Sequence, residues 1–314
     1  MEPTFFIAGA PKAGTTSFYH QMDQHPQIYM SPIKEPCYFA SELRIENFNE
    51  ELRPRLRRES ESLREYLRGP MTLKRFGGPV AEWEDYLLLF RNVRKEVAIG
   101  EASVSYLWSQ TAAKNIAARI PDAKIILILR DPVDRAFSQY LQAVSSGLVH
   151  SSFREEIIAN MNSRSGKFGV LNPFLEFGNY GAQVQRFLDV FSQDNVLIHI
   201  YEEMRTNPPD AMAETFRFLG VSAEFASASS ARFMEPRVPR LMSAGYRLKK
   251  RGIWQSASRL IPERMRPALR RVIHRPRGSL MVDPKDRAYL RSHYREDILK
   301  LEQLLNRDLH FWLK

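Results

Sequence analysis

The sequence predicts an α/β fold: a P-loop-like central parallel sheet flanked by helices, then a helical basic segment and a long C-terminal helix. Three observations predict it. Aliphatic runs without polar alternation recur at "TFFIAGA", "KIILILR" and "NVLIHIY", as strands buried on both faces require. Helical patterns stand between these runs, and strands alternating with helices favour a parallel sheet. The first run leads directly into a glycine-bearing loop, "GAPKAGTTS", and a helix start.

Taken in order, residues 4–10 are the first strand and 14–25 the first helix, opened by Thr15 or Thr16 and ended before "HPQ". "KEPCYFA" is a loop. Residues 42–96 are a charged, mostly helical insertion, interrupted by "RGP" and "FGGP". "EVAIGEAS" holds a strand and "TAAKNIAARI" a helix stopped by Pro121. "AKIILILRDP" is the strongest strand, and Pro132 opens the next helix, to about Ser146. "NYGAQVQRFLDVF" is helix, "NVLIHIY" strand, and "NPPDAMAETFRFLG" a helix ending on glycine. Residues 232–277 carry apolar residues at roughly helical spacing, broken by Pro262 and Pro267. "DPKDRAYLRSHYREDILKLEQLLNRDL" closes the chain as a long amphipathic helix. The chain is expected to form a single domain over residues 1–314.

The 314 residues, 44% of them hydrophobic, suffice for a sizeable core. Cys37 is the only cysteine, which excludes an intrachain disulfide and any zinc site built on several thiolates. The sequence offers no secretory signal and no run of about 18 apolar residues, so a soluble, cytoplasmic protein is expected. The formal charge is +10, but residues 232–277 hold 14 Lys and Arg against two acidic residues. The basicity thus belongs to one segment, which points to an anionic partner. That segment can be a solvated helical face, a lid over a glycan or lipid-linked acceptor, or a patch that meets an anionic membrane surface from the cytoplasmic side.

The loop after the first strand resembles a Walker A phosphate loop, with Gly9 and Gly14 at the right spacing. Thr15, however, stands where the lysine belongs, and the lysine sits inside the loop at Lys12. Lys12, Ala13, Gly14, Thr15, Thr16 and Ser17 would surround one phosphate at the helix start; a plain strand-to-helix turn is the alternative. In P-loop NTPases magnesium neutralises the phosphate chain. A sulfuryl group in transfer carries less negative charge, so a lysine on the bridging oxygen would suffice and no metal is expected. The anion that fits is a nucleotide phosphate bonded to a sulfate.

At these residues the resemblance becomes specific. "GAPKAGTTSFYHQMDQHPQI" is similar to the 5′-phosphosulfate loop of sulfotransferases that use 3′-phosphoadenosine 5′-phosphosulfate (PAPS), and "KIILILRDPVDRAFSQY" to their 3′-phosphate motif. The resemblance implies Arg130 and Ser138 as ligands of the 3′-phosphate. A planar guanidinium suits that anion. Further similarity runs through "IGEASVSYL", "FLEFGNYGAQVQRFLDVF" and the C-terminal helix, and is closest to bacterial members of the heparan-sulfate and carbohydrate type. In that group a basic-glycine loop before the last helix covers the nucleotide. "RPRGSL" holds its place, which implies Arg277 and Gly278 as donor contacts.

The same resemblance implies a glutamate base ahead of an aromatic pair. In "KEPCYFA" that is Glu35, before Tyr38 and Phe39; a capping or salt-bridging glutamate beside Lys34 is the alternative. Two departures mark the acceptor side. "Glu101-Ala102-Ser103" has alanine where the 3-O-sulfating heparan enzymes carry lysine, and Gln142 stands where N-sulfating relatives carry histidine. Glu101 is either a second acidic residue of the cleft or a partner of Lys12. His150 could reach the cleft, whereas His25 and His199 are read as structural.

The expected activity is therefore transfer of the PAPS sulfuryl group to a hydroxyl, or an amine, of a glycan or lipid-linked acceptor, releasing 3′-phosphoadenosine 5′-phosphate (PAP). Two other classes stay open: a P-loop kinase with Asp131 as its magnesium acid, and a non-catalytic nucleotide or anion-binding module. Nucleic acid is not an expected partner, since no RNA or DNA motif is present.

Overall fold

The computed structural model describes residues 1–146, 148–162, 174–225, 237–239, 274–276 and 280–314. Its central sheet uses β1 (Phe5–Ile7), β2 (Ile28–Met30), β5 (Ala98–Ala102), β6 (Lys124–Leu129) and β7 (Val196–Ile200). The strand order is β2-β5-β1-β6-β7 and every pairing is parallel. Two further strands, β3 (Ile33–Lys34) and β4 (Arg75–Phe76), pair in parallel beside it.

The β6 run explains why the sheet centre is stable. Ile125 to Leu129 are all fully buried, and each such side chain contributes about 2 kcal/mol through lost apolar exposure. Strand β1 is shorter than the expected 4–10 because regular pairing on both sides stops at Ile7. The Ala8 and Ala10 amides still bond to the carbonyls of Ile126 and Ile128. The chain thus leaves the sheet gradually, along β6, and delivers the glycine loop to its carboxyl edge. Ligands of parallel sheets bind there.

Helices flank the sheet. The expected first helix is α1 (Thr15–Met22), and the helix opened by Pro132 is α6 (Pro132–Ser146). Between them lie α2 (Arg53–Arg68), α3 (Trp83–Leu88), α4 (Ser105–Trp108) and α5 (Ala112–Arg119). After α6 come α7 (Phe153–Asn162), α8 (Tyr180–Leu188), α9 (Tyr201–Thr206) and α10 (Pro208–Leu219). The C-terminal helix (Pro284–Leu305) is α11. It is capped by the Asp283 side chain and buries Leu290, Tyr294, Ile298 and Leu301, one helical stripe. That stripe packs on α8 and the turn before it: the Tyr294 ring covers Gly178 in the turn, and Asp297 accepts from the Gly181 amide of α8.

Several features depart from the sequence expectations. Strands β2, at the sheet edge, and β3 were not expected, and neither were helices α4, α7 and α9: α4 is a single turn, and α7 buries only Phe153 and Ile157, too little for a visible period. Within 42–96, the two residues of β4 were missed for the same reason. The basic segment 232–277, expected to be helical, lies outside the described residues except for β8 (Arg237–Pro239) and β9 (His274–Pro276). These pair antiparallel, so that part is sheet. Among the described residues no helix is long and apolar enough to cross a membrane.

Candidate active site

The loop between β1 and α1 is shaped by close approaches. A Cβ on Gly9 would lie 2.7 Å from Thr15 Cγ2 and 3.0 Å from the Ile128 carbonyl oxygen. Gly14 sits in the left-handed region at φ 85, and a Cβ there would meet the Tyr201 ring at 2.9 Å. Lys12 is also left-handed, at φ 70, and the Ala13 amide turns back to the Ala10 carbonyl. Gly14 then caps α1 without a side-chain cap, and Thr15, Thr16 and Ser17 form the helix's first turn. The first amides of any helix lack intrahelical partners and carry partial positive charge, which suits an anion.

Arg130 follows β6 at the same edge. Its Nη1 donates to the Lys12 carbonyl at 2.9 Å, and its guanidinium lies 4.8 Å from the centre of the Tyr201 ring. Its own carbonyl accepts from the Tyr180 hydroxyl at 2.8 Å. The Arg130 carbonyl and one end of its guanidinium are thus held, while its Nε is buried without a hydrogen-bond partner among the described residues. Ser138, fully buried on α6, has an equally unpartnered Oγ. An unsatisfied buried polar group costs about 1–3 kcal/mol, so each of them calls for a ligand or water to complete it.

Asp131 has a different job. Its Oδ1 accepts from the amides of Val133 at 2.7 Å and Asp134 at 3.0 Å, capping α6. Burial, reinforced by the Asp134 charge, pushes its carboxyl up to about 6.

Glu35 lies on a loop clamped from both sides. The Gly77 amide bonds to the Lys34 carbonyl and the Val80 amide to that of Pro36, each at 2.8 Å. The Glu35 amide bonds to the Ala102 carbonyl at 2.8 Å, and Ala102 is in register with Ile7 of β1. Glu35 and the glycine loop therefore leave neighbouring strands at one edge. Glu35 and Cys37 are both left-handed, at φ 71 and 54. The Lys34 side chain is only 1% exposed, and its Nζ reaches Glu35 Oε1 at 2.9 Å, so the salt-bridging alternative describes a real contact. Glu35 keeps 34% of its side chain open to solvent. Phe39 packs into the aromatic core against Phe6, Tyr86 and Tyr106, while Tyr38 stacks on Tyr86.

Glu101 is no cleft residue. It is fully buried, accepting from Tyr106 at 2.5 Å, Ser103 at 2.8 Å and Tyr86 at 3.2 Å. Burial pushes its carboxyl up to about 7 against the pull of these hydroxyls. The same burial pushes the Cys37 thiol up to about 12. His25 is held between Phe216 and Phe225, with Nε2 3.0 Å from the Ser222 carbonyl, and His199 bonds to Thr215 inside the core. Gln142 and His150 are exposed on and beyond α6.

The structure thus brings Lys12, Ala13, Gly14, Thr15, Thr16, Ser17, Glu35, Arg130 and Ser138 to the carboxyl edge or the helices that start there. Arg277 and Gly278 lie outside the described residues. Sequence reasoning missed Tyr201, whose ring fills the space between Gly14 and Arg130, although its place immediately after β7 was a usable signal. It also missed Tyr180, for which local pattern gives no sign.

Comparison with known proteins accords with this geometry. The family model of the sulfotransferase domain matches residues 2–237. The human bifunctional heparan sulfate N-deacetylase/N-sulfotransferase 3 is 27% identical over 318 residues, covering 99% of this chain and 31% of that protein. Mouse carbohydrate sulfotransferase 15 is 28% identical over 269 residues, 70% of this chain and 44% of that protein. The chain therefore spans less than half the length of these relatives. The crystal structure of a sulfotransferase from Alicyclobacillus acidocaldarius matches over 100% of both chains, with 29% identity and a TM-score of 0.70.

Proposed function

This chain belongs to the sulfotransferase domain family, and on that footing we propose that it transfers the sulfuryl group of PAPS to a hydroxyl of a glycan by in-line displacement. The observation that carries the donor assignment is the pair of buried, unpartnered atoms Arg130 Nε and Ser138 Oγ. A 3′-phosphate supplies the acceptor oxygens both donors lack. The glycan acceptor is supported by the heparan-sulfate and carbohydrate sulfotransferases among its relatives.

In the reaction Glu35 takes the proton of the acceptor hydroxyl as that oxygen forms its bond to sulfur. Lys12 and the first-turn amides of α1 meet the charge on the 5′-phosphate oxygen, which keeps the electron pair of the breaking sulfur–oxygen bond. Arg130 and Ser138 hold the far end of the nucleotide, fixing the line of attack.

Ligand-dependent melting tests the assignment. PAP in EDTA should raise the melting temperature, by the linkage expected for a ligand that binds only the folded state, while ATP with magnesium and an oligonucleotide should raise it little. Stabilisation by ATP–magnesium and none by PAP would overturn it. Turnover is then followed as labelled sulfate moved from PAPS to glycans or, more slowly, to water.

A further inference from the structure

We propose that Lys34 is the positioning residue of the proposed base: its buried side chain holds the Glu35 carboxylate in place at the mouth of the cleft. The inference rests on the assignment of Glu35 as base.

The backbone explains why the two side chains meet. In a strand, successive side chains point to opposite faces. Lys34 is the last residue of β3 and points inward, 1% exposed. Glu35 should therefore point away from it. Its left-handed φ of 71 breaks the alternation and turns the carboxylate back to Lys34 Nζ, at 2.9 Å. That conformation costs an L-residue energy, and the clamp from Gly77 and Ala102 maintains it.

The surroundings leave the ammonium committed to Glu35. Glu101 is the other carboxylate that faces Lys34, from β5, but its oxygens already accept from Tyr106, Ser103 and Tyr86. Its burial favours the neutral acid, which does not draw the ammonium away. Tyr86 and Tyr106 are held well on the neutral side by burial, as is the Cys37 thiol next to Glu35. His20, from α1, also feels the Lys34 charge and is pushed towards its neutral form, chiefly by burial. Glu35 is thus the carboxylate that Lys34 Nζ bonds to, while the Lys74 and Asp23 charges, which also act on His20, pair with each other. A buried charge is strongly coupled to a partner it cannot exchange for water.

Hydrolysis of labelled PAPS to PAP and sulfate tests this without an identified acceptor, since water replaces the hydroxyl and gives its proton to Glu35. In Lys34→Met and Lys34→Gln turnover should fall at least tenfold, because the Glu35 carboxylate is no longer held in place. PAP affinity should stay within about twofold of wild type. In a Glu35→Gln background, Lys34→Met should cause no further loss, since Lys34 acts through Glu35. A loss of PAP affinity that matches the loss of turnover, or losses that multiply in the double variant, would overturn the inference and leave Lys34 a merely structural lysine. If Lys34→Met does not fold, as judged by a PAP-dependent melt, Lys34→Gln decides alone. Glu35→Gln with wild-type turnover would overturn the base assignment itself, an outcome separate from the other two.

Discussion

Arg130 Nη1 donates a 2.9 Å hydrogen bond to the main-chain carbonyl of Lys12, 118 residues earlier in the chain. One guanidinium therefore supports the glycine loop while its unpartnered Nε is left for the proposed 3′-phosphate. The two halves of the proposed donor site are coupled. Arg130→Ala should weaken binding of both PAPS and adenosine 5′-phosphosulfate, with the larger loss for PAPS, in competition or calorimetric titrations. A loss confined to PAPS would show that the bond to Lys12 does not matter to the loop.

Ser138→Ala isolates the 3′-phosphate contact. It should leave affinity for adenosine 5′-phosphosulfate unchanged and weaken PAPS by about tenfold, the worth of one hydrogen bond to a charged group. Without ligand the variant should melt no lower than wild type, because it removes a buried hydroxyl that has no partner. A marked drop in the ligand-free melting temperature would mean that Oγ is already bonded in the native protein.

Lys12→Ala should lower turnover far more than PAP affinity, by on the order of a hundredfold or more, since charge on the bridging oxygen develops in the transition state. Both residues occupy the same left-handed backbone at comparable strain, so the loop should persist. Single-turnover rates with saturating PAPS are the direct measurement. Equal losses in binding and turnover would assign the lysine to ground-state binding.

Glu35→Gln should retain PAP binding and lose transfer by about two to four powers of ten, the usual reach of general-base catalysis. Lys34→Ala is no neutral control here, because Lys34 is buried on Glu35. The informative control is therefore the binding measurement itself: unchanged PAP affinity shows an intact edge of the sheet.

His199 makes stability depend on pH. Burial, and secondarily the Arg307 charge, lowers its native value from 6.5 to about 4. The unfolded chain thus binds a proton that the native chain refuses between these limits. Stability from this residue is complete above pH 6.5 and is lost as pH falls towards about 4, by about 3 kcal/mol. His199→Gln should flatten that part of the stability–pH curve obtained from urea unfolding. A difference curve without slope between pH 4 and 6.5 would refute the burial argument.

Much of this protein is determined by its sequence alone. The unalternating run Ile125–Leu129 requires a strand buried on both faces, and Pro132 at the first turn of α6 places Arg130 beyond the end of that strand. Gly9, Lys12, Gly14, Thr15 and Thr16 mark the turn into α1 as a candidate anion loop because glycine conformation and helix-start hydroxyls are local chemistry. The stripe from Leu290 to Leu301 makes the last helix legible in the same way. Tertiary structure alone decided the rest. Glu101, a cleft candidate by its position, is enclosed by Tyr86, Ser103 and Tyr106. Tyr201 becomes the platform for Arg130, and the left-handed turn at Glu35 brings its carboxylate onto Lys34. Two-residue strands such as β3 and β4 have too few residues to show a period. The physical reason is common to all these cases: periodicity and local propensity report how a segment meets the core as a whole, whereas a hydrogen bond, a buried charge or a ring contact depends on which distant residue the fold sets opposite it.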